Sequence, residues 1–315
     1  MPFVSHARST LNERSQRGDR VPQNQPQTEP AAELPGGLSV IERNLYEFTT
    51  QHHWDDVAQL SAERVRDVLV VGDVHGTKAH LSVGAIVQVG DFWLSDRHGA
   101  QHRSEEAEFM WEAHDSPVPL VVLDGNHEDW PALSRYARTP AAQETIATRR
   151  PLHLGGALWW AWRGSTWTWA GMRCAALGGA VSPDRRDRAV RRWRWPQEAL
   201  APHELDRFTA NVDTDHNGHL DVLFTHDAPA QVRNLKSGMR DIPSETQHAI
   251  TQTRLLLARA VDHTQPRLVI HGHWHRSHRE QISAATESVG LANDGRRDHI
   301  AWLTAEPELH VSPTN

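Results

Sequence analysis

Cysteine is all but absent: Cys174 is the one thiol in 315 residues. That excludes an internal disulfide and any cysteine-based zinc site. Long apolar runs are missing as well. No stretch reaches the roughly 18 consecutive apolar residues that a membrane-spanning helix needs. The opening residues, MPFVSHARSTLNERSQRGDR, lack the apolar segment of a secretory signal. The expectation is an unexported, cytoplasmic protein with no membrane partner. A surplus of positive charge is absent too, and the formal net charge of −7 argues against wholesale coating of nucleic acid. Hydrophobic residues at 38% and aromatics at 7% suffice for a core, though a lean one. Histidine is what the chain has in excess, with 22 residues, several beside Asp, Asn or Gly.

Residues 1–36 are rich in Gln, Pro, Arg, Ser and Glu, and too poor in large apolar side chains to offset the entropy of ordering. They are expected to form a disordered tail. Residues 37–66 read as a helical extension, with Leu38, Ile41, Leu45 and Phe48 on one stripe. From residue 67 to 315 one larger domain is expected. Its signature is a series of short apolar runs that end in polar clusters. Val68–Val71 leads into Gly72-Asp73-Val74-His75-Gly76, and Ile86–Val89 into Gly90-Asp91. Leu120–Leu123 leads into Asp124-Gly125-Asn126-His127-Glu128, and Val222–Phe224 into Thr225-His226-Asp227. Leu268–Ile270 leads into His271-Gly272-His273-Trp274-His275. Uninterrupted runs of this length suit strands buried on both faces, and the C-terminal edge of such strands is where open α/β sheets place ligands.

Helices are expected around 103–115, 131–148, 197–210 and 244–262, and closing strands within 284–304. Residues 157–179 read as a hairpin, with Trp160 and Trp162 on one arm, Arg163–Thr166 turning, and Trp167 and Trp169 on the other. Five of the 13 tryptophans fall there, and the reading preferred is core.

Each polar cluster alone is weak evidence, because Gly-Asp after a strand is usually a turn. Their order carries the weight: D-x-H, G-D, G-N-H-E, T-H-D and G-H-x-H each follow an apolar run. Together they supply carboxylate, amide and imidazole without thiolate, a donor set for Mn, Fe or Zn. A carboxylate can bridge two ions roughly 4 Å apart, the spacing of two-metal hydrolases.

From about Val68 to Trp302 the pattern resembles the calcineurin-like metallophosphoesterases. It is most similar to their small bacterial and phage members, whose LGGA-x-S-x-D stretch is echoed by Leu177–Asp184. The resemblance implies a four-layer αββα sandwich of two mixed sheets, with the metals at the C-terminal strand ends. It also implies two divalent metal ions. Asp73 and His75 would bind the first with His275, while Asn126, His226 and His273 would bind the second and Asp91 would bridge them. His127 matches the family's catalytic histidine, and Glu128 would orient it. The implied activity is hydrolysis of a phosphomonoester or phosphodiester by in-line attack of metal-bound hydroxide, with His127 protonating the leaving group.

One departure stands out. Between Gly76 and Ala85 lie only the eight residues TKAHLSVG, where a parallel crossover ordinarily needs a dozen or more. Either the helix there is cut to about two turns or the first two strands pair abnormally. An intact site is expected, because every downstream motif is present. Other signals are set aside. Asp213–Gly218 imitates the start of a calcium loop, but its twelfth position is Phe224. Gly72–Lys78 lacks the spacing of a phosphate-binding loop. Residues 185–195 hold six Arg and two Trp. The bland reading is a solvated segment. The functional one is a basic rim for a nucleotide or nucleic-acid substrate, or a nucleic-acid-binding module in its own right. A catalytically inactive metal- or partner-binding scaffold is the remaining alternative.

Overall fold

Short runs rich in Val, Leu, Ile and Ala, too short for helices, form the central strands of two facing sheets. The computed structural model describes residues 54–64, 66–73, 84–92, 118–183, 195–233, 235, 242–293, 296, 298–305 and 308–311, all within the unit Leu38–Asn315. The strands in chain order begin with β1 (Val68–Val71), β2 (Ala85–Gln88), β3 (Leu120–Leu123), β4 (Leu152–Gly155) and β5 (Leu158–Ala161). Next come β6 (Thr166–Trp169), β7 (Met172–Leu177), β8 (Val222–Thr225) and β9 (Leu268–His271). The last four are β10 (His278–Gln281), β11 (Glu287–Gly290), β12 (Ile300–Leu303) and β13 (Leu309–Val311). The first sheet has the order β13-β12-β1-β2-β3-β5-β4, the second β10-β11-β9-β8-β7-β6. Both are mixed. A parallel centre, β1-β2-β3-β5 in one and β7-β8-β9-β11 in the other, carries antiparallel strands at its edges.

Period-two alternation assigns each strand's side chains to a layer. Val68 and Val70, Val121 and Leu123, Cys174 and Ala176, Val222 and Phe224, and Leu268 and Ile270 meet between the sheets. The intervening residues face outward. Leu120 and Val122 pack with Leu133 and Tyr136 of α2 (Trp130–Tyr136) and Ala142 of α3 (Pro140–Ala147). Ala175, Leu177, Leu223 and Val269 pack with Phe208 and Val212 of α4 (Pro202–His216) and Leu257 and Val261 of α5 (Ser244–Thr264). The result is the expected αββα sandwich. At about 1.5–3 kcal/mol for each large apolar side chain removed from water, these three layers of contact hold the sheets face to face. Among the described residues no helix is long and apolar enough to cross a membrane.

The crossover residues 74–83 lie outside the described residues, but their consequence is visible. β2 pairs parallel with β1 in unbroken register, Val68 opposite Ala85 and Val71 opposite Gln88, and parallel again with β3. The short connection therefore leaves Asp91 at the end of a regularly placed strand. Of the extension expected over 37–66, the described part is the helix α1 (Trp54–Arg64), whose Trp54 and Ala58 enter the core between the sheets. The tail at 1–36, the stripe Leu38–Phe48, the helix at 103–115 and the Arg-rich residues 185–194 also lie outside the described residues.

Three expectations need correction. The hairpin over 157–179 does not pair Trp160 and Trp162 with Trp167 and Trp169. β5 belongs to the first sheet and β6 to the second, so Trp162–Ser165 crosses between sheets, and the true hairpin is β6–β7. Its turn is Ala170-Gly171, both at positive φ. The five tryptophans are buried, as the core reading requires. The helix expected over 131–148 is two helices, because Pro140 starts a new one that Thr139 caps through Ala142 N. The helix expected at 197–210 begins at Pro202 and runs to His216. Residues Asp213–His216 are thus helical, not a calcium loop.

Candidate metal centre

The parallel strands of both sheets end on one edge, and the polar residues after them converge there. Asp91 follows β2 and is buried. Its Oδ1 accepts hydrogen bonds from the backbone N–H of Asn126 at 2.8 Å and of His127 at 3.0 Å, both after β3. His226, after β8, places Nε2 3.3 Å from Asp91 Oδ1 and 3.2 Å from Asn126 Oδ1. After β9, the ring of His273 lies 5.0 Å from that of His226 between centroids. Asp91, His226 and His273 can each aim one donor atom into a region where all three lie within 4.8 Å of one another.

Asp73, after β1, joins from the other side. Its Oδ1 accepts the backbone N–H of His273 at 3.1 Å, and its Oδ2 lies 2.8 Å from His275 Nε2. The Oδ2 atom is nonetheless buried without a donor in hydrogen-bonding geometry. His75 lies outside the described residues. The remaining residues singled out from sequence, Asp73, Asp91, Asn126, His127, His226, His273 and His275, are all brought to this edge. His127 and His275 are its solvent-facing members, with side chains 37% and 47% exposed.

Local geometry is bent to make this meeting possible. Asp91, His273 and His275 adopt φ of 57°, 64° and 54°, a region that costs a non-glycine residue about 1–3 kcal/mol and is concentrated at functional sites. Gly90 has φ of 101°, and a Cβ there would lie 2.2 Å from His226 Nδ1, so only glycine lets β2 end this close to β8. Gln88 braces the turn, accepting from Gly90 N at 3.0 Å and donating to Gly72 O at 3.3 Å. Glu128 Oε1 accepts from Phe92 N at 3.0 Å and Gly125 N at 3.3 Å, fastening the ends of β2 and β3 together. Trp274 donates Nε1 to Asp227 Oδ1 at 2.8 Å, which ties the loop bearing His273 and His275 to the end of β8.

The electrostatics suit a cation. Burial alone would raise the Asp91 carboxyl, but the imidazoles of His226, His127 and His273 hold it well below its usual range. Burial opposes charge on His226, yet Asp91 beside it lifts the imidazole to about 10. His226 Nδ1 lies 2.7 Å from Val89 O and donates to it, which leaves Nε2 to face the carboxylates. A proton or a divalent ion can satisfy them from that position. Burial, reinforced by His226, keeps His273 well below its usual value and so neutral, the state a ligand requires. The donor set, the His226 ring anchored through Nδ1 and the buried carboxylates of Asp73 and Asp91 all fit metal ions.

Several contributors carried no signal of their own in sequence. Ser182, singled out only as part of Leu177–Asp184, accepts Asn126 Nδ2 at 3.1 Å. Asp124 was visible only as a strand-end residue. It is buried and paired with Arg163 at 2.7 Å, a contact between residues 39 apart that no spacing rule marks.

No family model matches the chain, and no curated protein does. Among solved structures it is similar to a dimetal phosphatase from Danio rerio, at 14% identity over 76% of this chain and 93% of that one, TM-score 0.47. It is also similar to the phosphopantetheinyl hydrolase from Mycobacterium tuberculosis, at 10% identity over 75% of this chain and 95% of that one, TM-score 0.42. At these levels neither likeness bears on the chemistry, which rests on the residues themselves.

Proposed function

We propose that this chain is a dinuclear-metal hydrolase of phosphate monoesters or diesters, of the calcineurin-like kind that its motifs resemble. The observation that carries the reading is the convergence of Asp91, His226 and His273 within 4.8 Å, flanked by Asn126 on one side and Asp73 with His275 on the other. In this reading Asn126, His226 and His273 would hold one ion, Asp73 and His275 with His75 would hold the other, and Asp91 would serve both. Bound divalent ions would supply positive charge for the phosphate and lower the pKa of water near neutral pH. Asp73 and Asp91 subtract two charges from the four of the ions, so the centre stays attractive to an anion. The buried carboxylates and imidazoles keep their geometry without solvent reorganisation. His127 sits at the exposed rim, 3.9 Å from Asp91 Oδ2, where it can give a proton to a departing alkoxide.

The test is hydrolysis of bis-p-nitrophenyl phosphate and p-nitrophenyl phosphate by metal-stripped protein re-supplied with Mn²⁺. Turnover should depend on the ion and vanish in Asp91→Asn. His127→Ala should lose about 10²-fold or more on alkyl esters. It should lose less on nitrophenyl esters, whose leaving group needs no proton. Metal-independent turnover, or an Asp91→Asn variant as active as the parent, would sink the proposal. Two bound ions without turnover would favour the inactive scaffold.

A further inference from the structure

We infer that Ser182 is a positioning residue for the centre, anchoring the Asn126 amide by its Nδ2 so that its oxygen faces the metal ions. The inference deepens the two-metal reading and rests on it. An asparagine amide has two unlike ends, and only its oxygen has a lone pair to offer a cation. In this chain Nδ2 donates to Ser182 Oγ at 3.1 Å while Oδ1 lies 3.2 Å from His226 Nε2. Both Asn126 and Ser182 are buried, 2% and 1% exposed, so water does not compete for the amide. Rotated by half a turn, the amide would aim its N–H groups at the ions and leave its oxygen against the serine. The Ser182 hydroxyl can donate as well as accept, so the cations choose the oxygen, and the serine, by accepting from Nδ2, holds the amide in that orientation.

Its own position is set independently of the ions. The segment after β7 lies against the end of β3, where Gly179 N donates to Asp124 O at 2.8 Å, and Ala180 N donates to Glu198 O at 3.0 Å. A Cβ at Gly178 would come within 2.5 Å of Asp124 O, so glycine is what permits the approach. Asp124 precedes Asn126 by two residues. The serine and the amide it orients are therefore held on two backbones that are hydrogen-bonded to each other.

The experiment is calorimetric titration of the metal-stripped full chain with Mn²⁺, without reference to turnover. Wild type should take up two equivalents. Ser182→Ala should melt a few degrees lower, because a buried amide N–H loses its acceptor, and should keep one site unchanged while the other weakens about 10–100-fold, the usual effect of removing an outer partner of a ligand. Ser182→Thr, which keeps the hydroxyl, should bind nearly as wild type. In an Asn126→Ala background, where no amide remains to orient, adding Ser182→Ala should change nothing. Two sites of wild-type affinity in Ser182→Ala, equal weakening of both, or a further loss on top of Asn126→Ala would overturn the inference. A wild-type chain that binds no Mn²⁺ would overturn the two-metal reading beneath it, and that failure shows before any substitution is made.

Discussion

Replacing Arg163 by Met should damage the fold far more than neutralising its partner Asp124. Arg163 is 3% exposed, and its guanidinium donates to Asp124 Oδ2 at 2.7 Å and Glu204 Oε2 at 2.8 Å. It also donates to Ala199 O and Glu198 O, each at 3.0 Å, and stacks 4.3 Å over the Trp130 ring. Without it, the fully buried Asp124 carboxylate keeps only Trp160 Nε1, at 3.1 Å, among these donors. Breaking a buried pair and leaving a charge behind costs about 3–5 kcal/mol, or roughly 8–15 °C in melting temperature for a domain of this size. In Asp124→Asn, by contrast, Arg163 still pairs with Glu204 and two carbonyls, and the amide oxygen can still accept from Trp160. That substitution should cost about 1–2 kcal/mol. The double variant should be more stable than Arg163→Met alone, since the uncompensated charge is gone. Urea unfolding of the four proteins measures all of these. A double variant as unstable as the sum of the singles would refute the reasoning, as would Asp124→Asn costing as much as Arg163→Met.

Gly90→Ala should cost more than about 2 kcal/mol, because it adds a clash with His226 to the backbone strain at φ 101°. Gly171→Ala, at φ 87° with open space around it, should cost only the strain, about 1 kcal/mol; equal losses in urea unfolding would contradict this. Acid sensitivity should centre partly on Asp215, whose carboxylate accepts from Arg149 Nε and Arg150 Nη1, both at 2.8 Å. Burial would raise its pKa, but these partners hold it at about 2. A depressed carboxyl contributes stability above its unfolded pKa of about 4 that is lost as pH falls towards 2, about 1–2 kcal/mol after solvent screening. Asp215→Asn should therefore show a shallower decline of stability between pH 4 and 2 than wild type, and parallel curves would exclude the assignment.

The parts of the fold legible in sequence were those with a local cause. Runs such as Val68–Val71 and Leu268–Ile270 announce doubly buried strands, and a polar residue just after each belongs at the sheet's edge. That reasoning puts the polar residues after each run, Asp73, Asp91, Asn126, His226 and His273 among them, at the edge where the structure has them; which of them are metal ligands came only from the family resemblance. What was misread depended on which sheet a strand joins. Alternation around Trp160 and Trp167 reveals a pleat, but the same pleat serves either sheet, and only docking decides that Trp162–Ser165 passes between them. Pro140, which starts the second of two helices over 131–148, is a break visible in the sequence. Ser182 and Arg163 were beyond reach for a different reason, because their partners Asn126 and Asp124 are 56 and 39 residues away and neither residue type suggests a role by itself.

The hydrogen bond from His273 to Asp73 joins residues 200 positions apart, and the donors between them come from both sheets. No fragment that stops short of β9 contains the centre. A growing chain therefore cannot bring these donors together until His275 has been made and both sheets have closed on each other. On the two-metal reading, metal uptake would come late in the life of each molecule and be confined to those that finished folding, so the ion would act as a seal on a completed structure rather than as a seed for one.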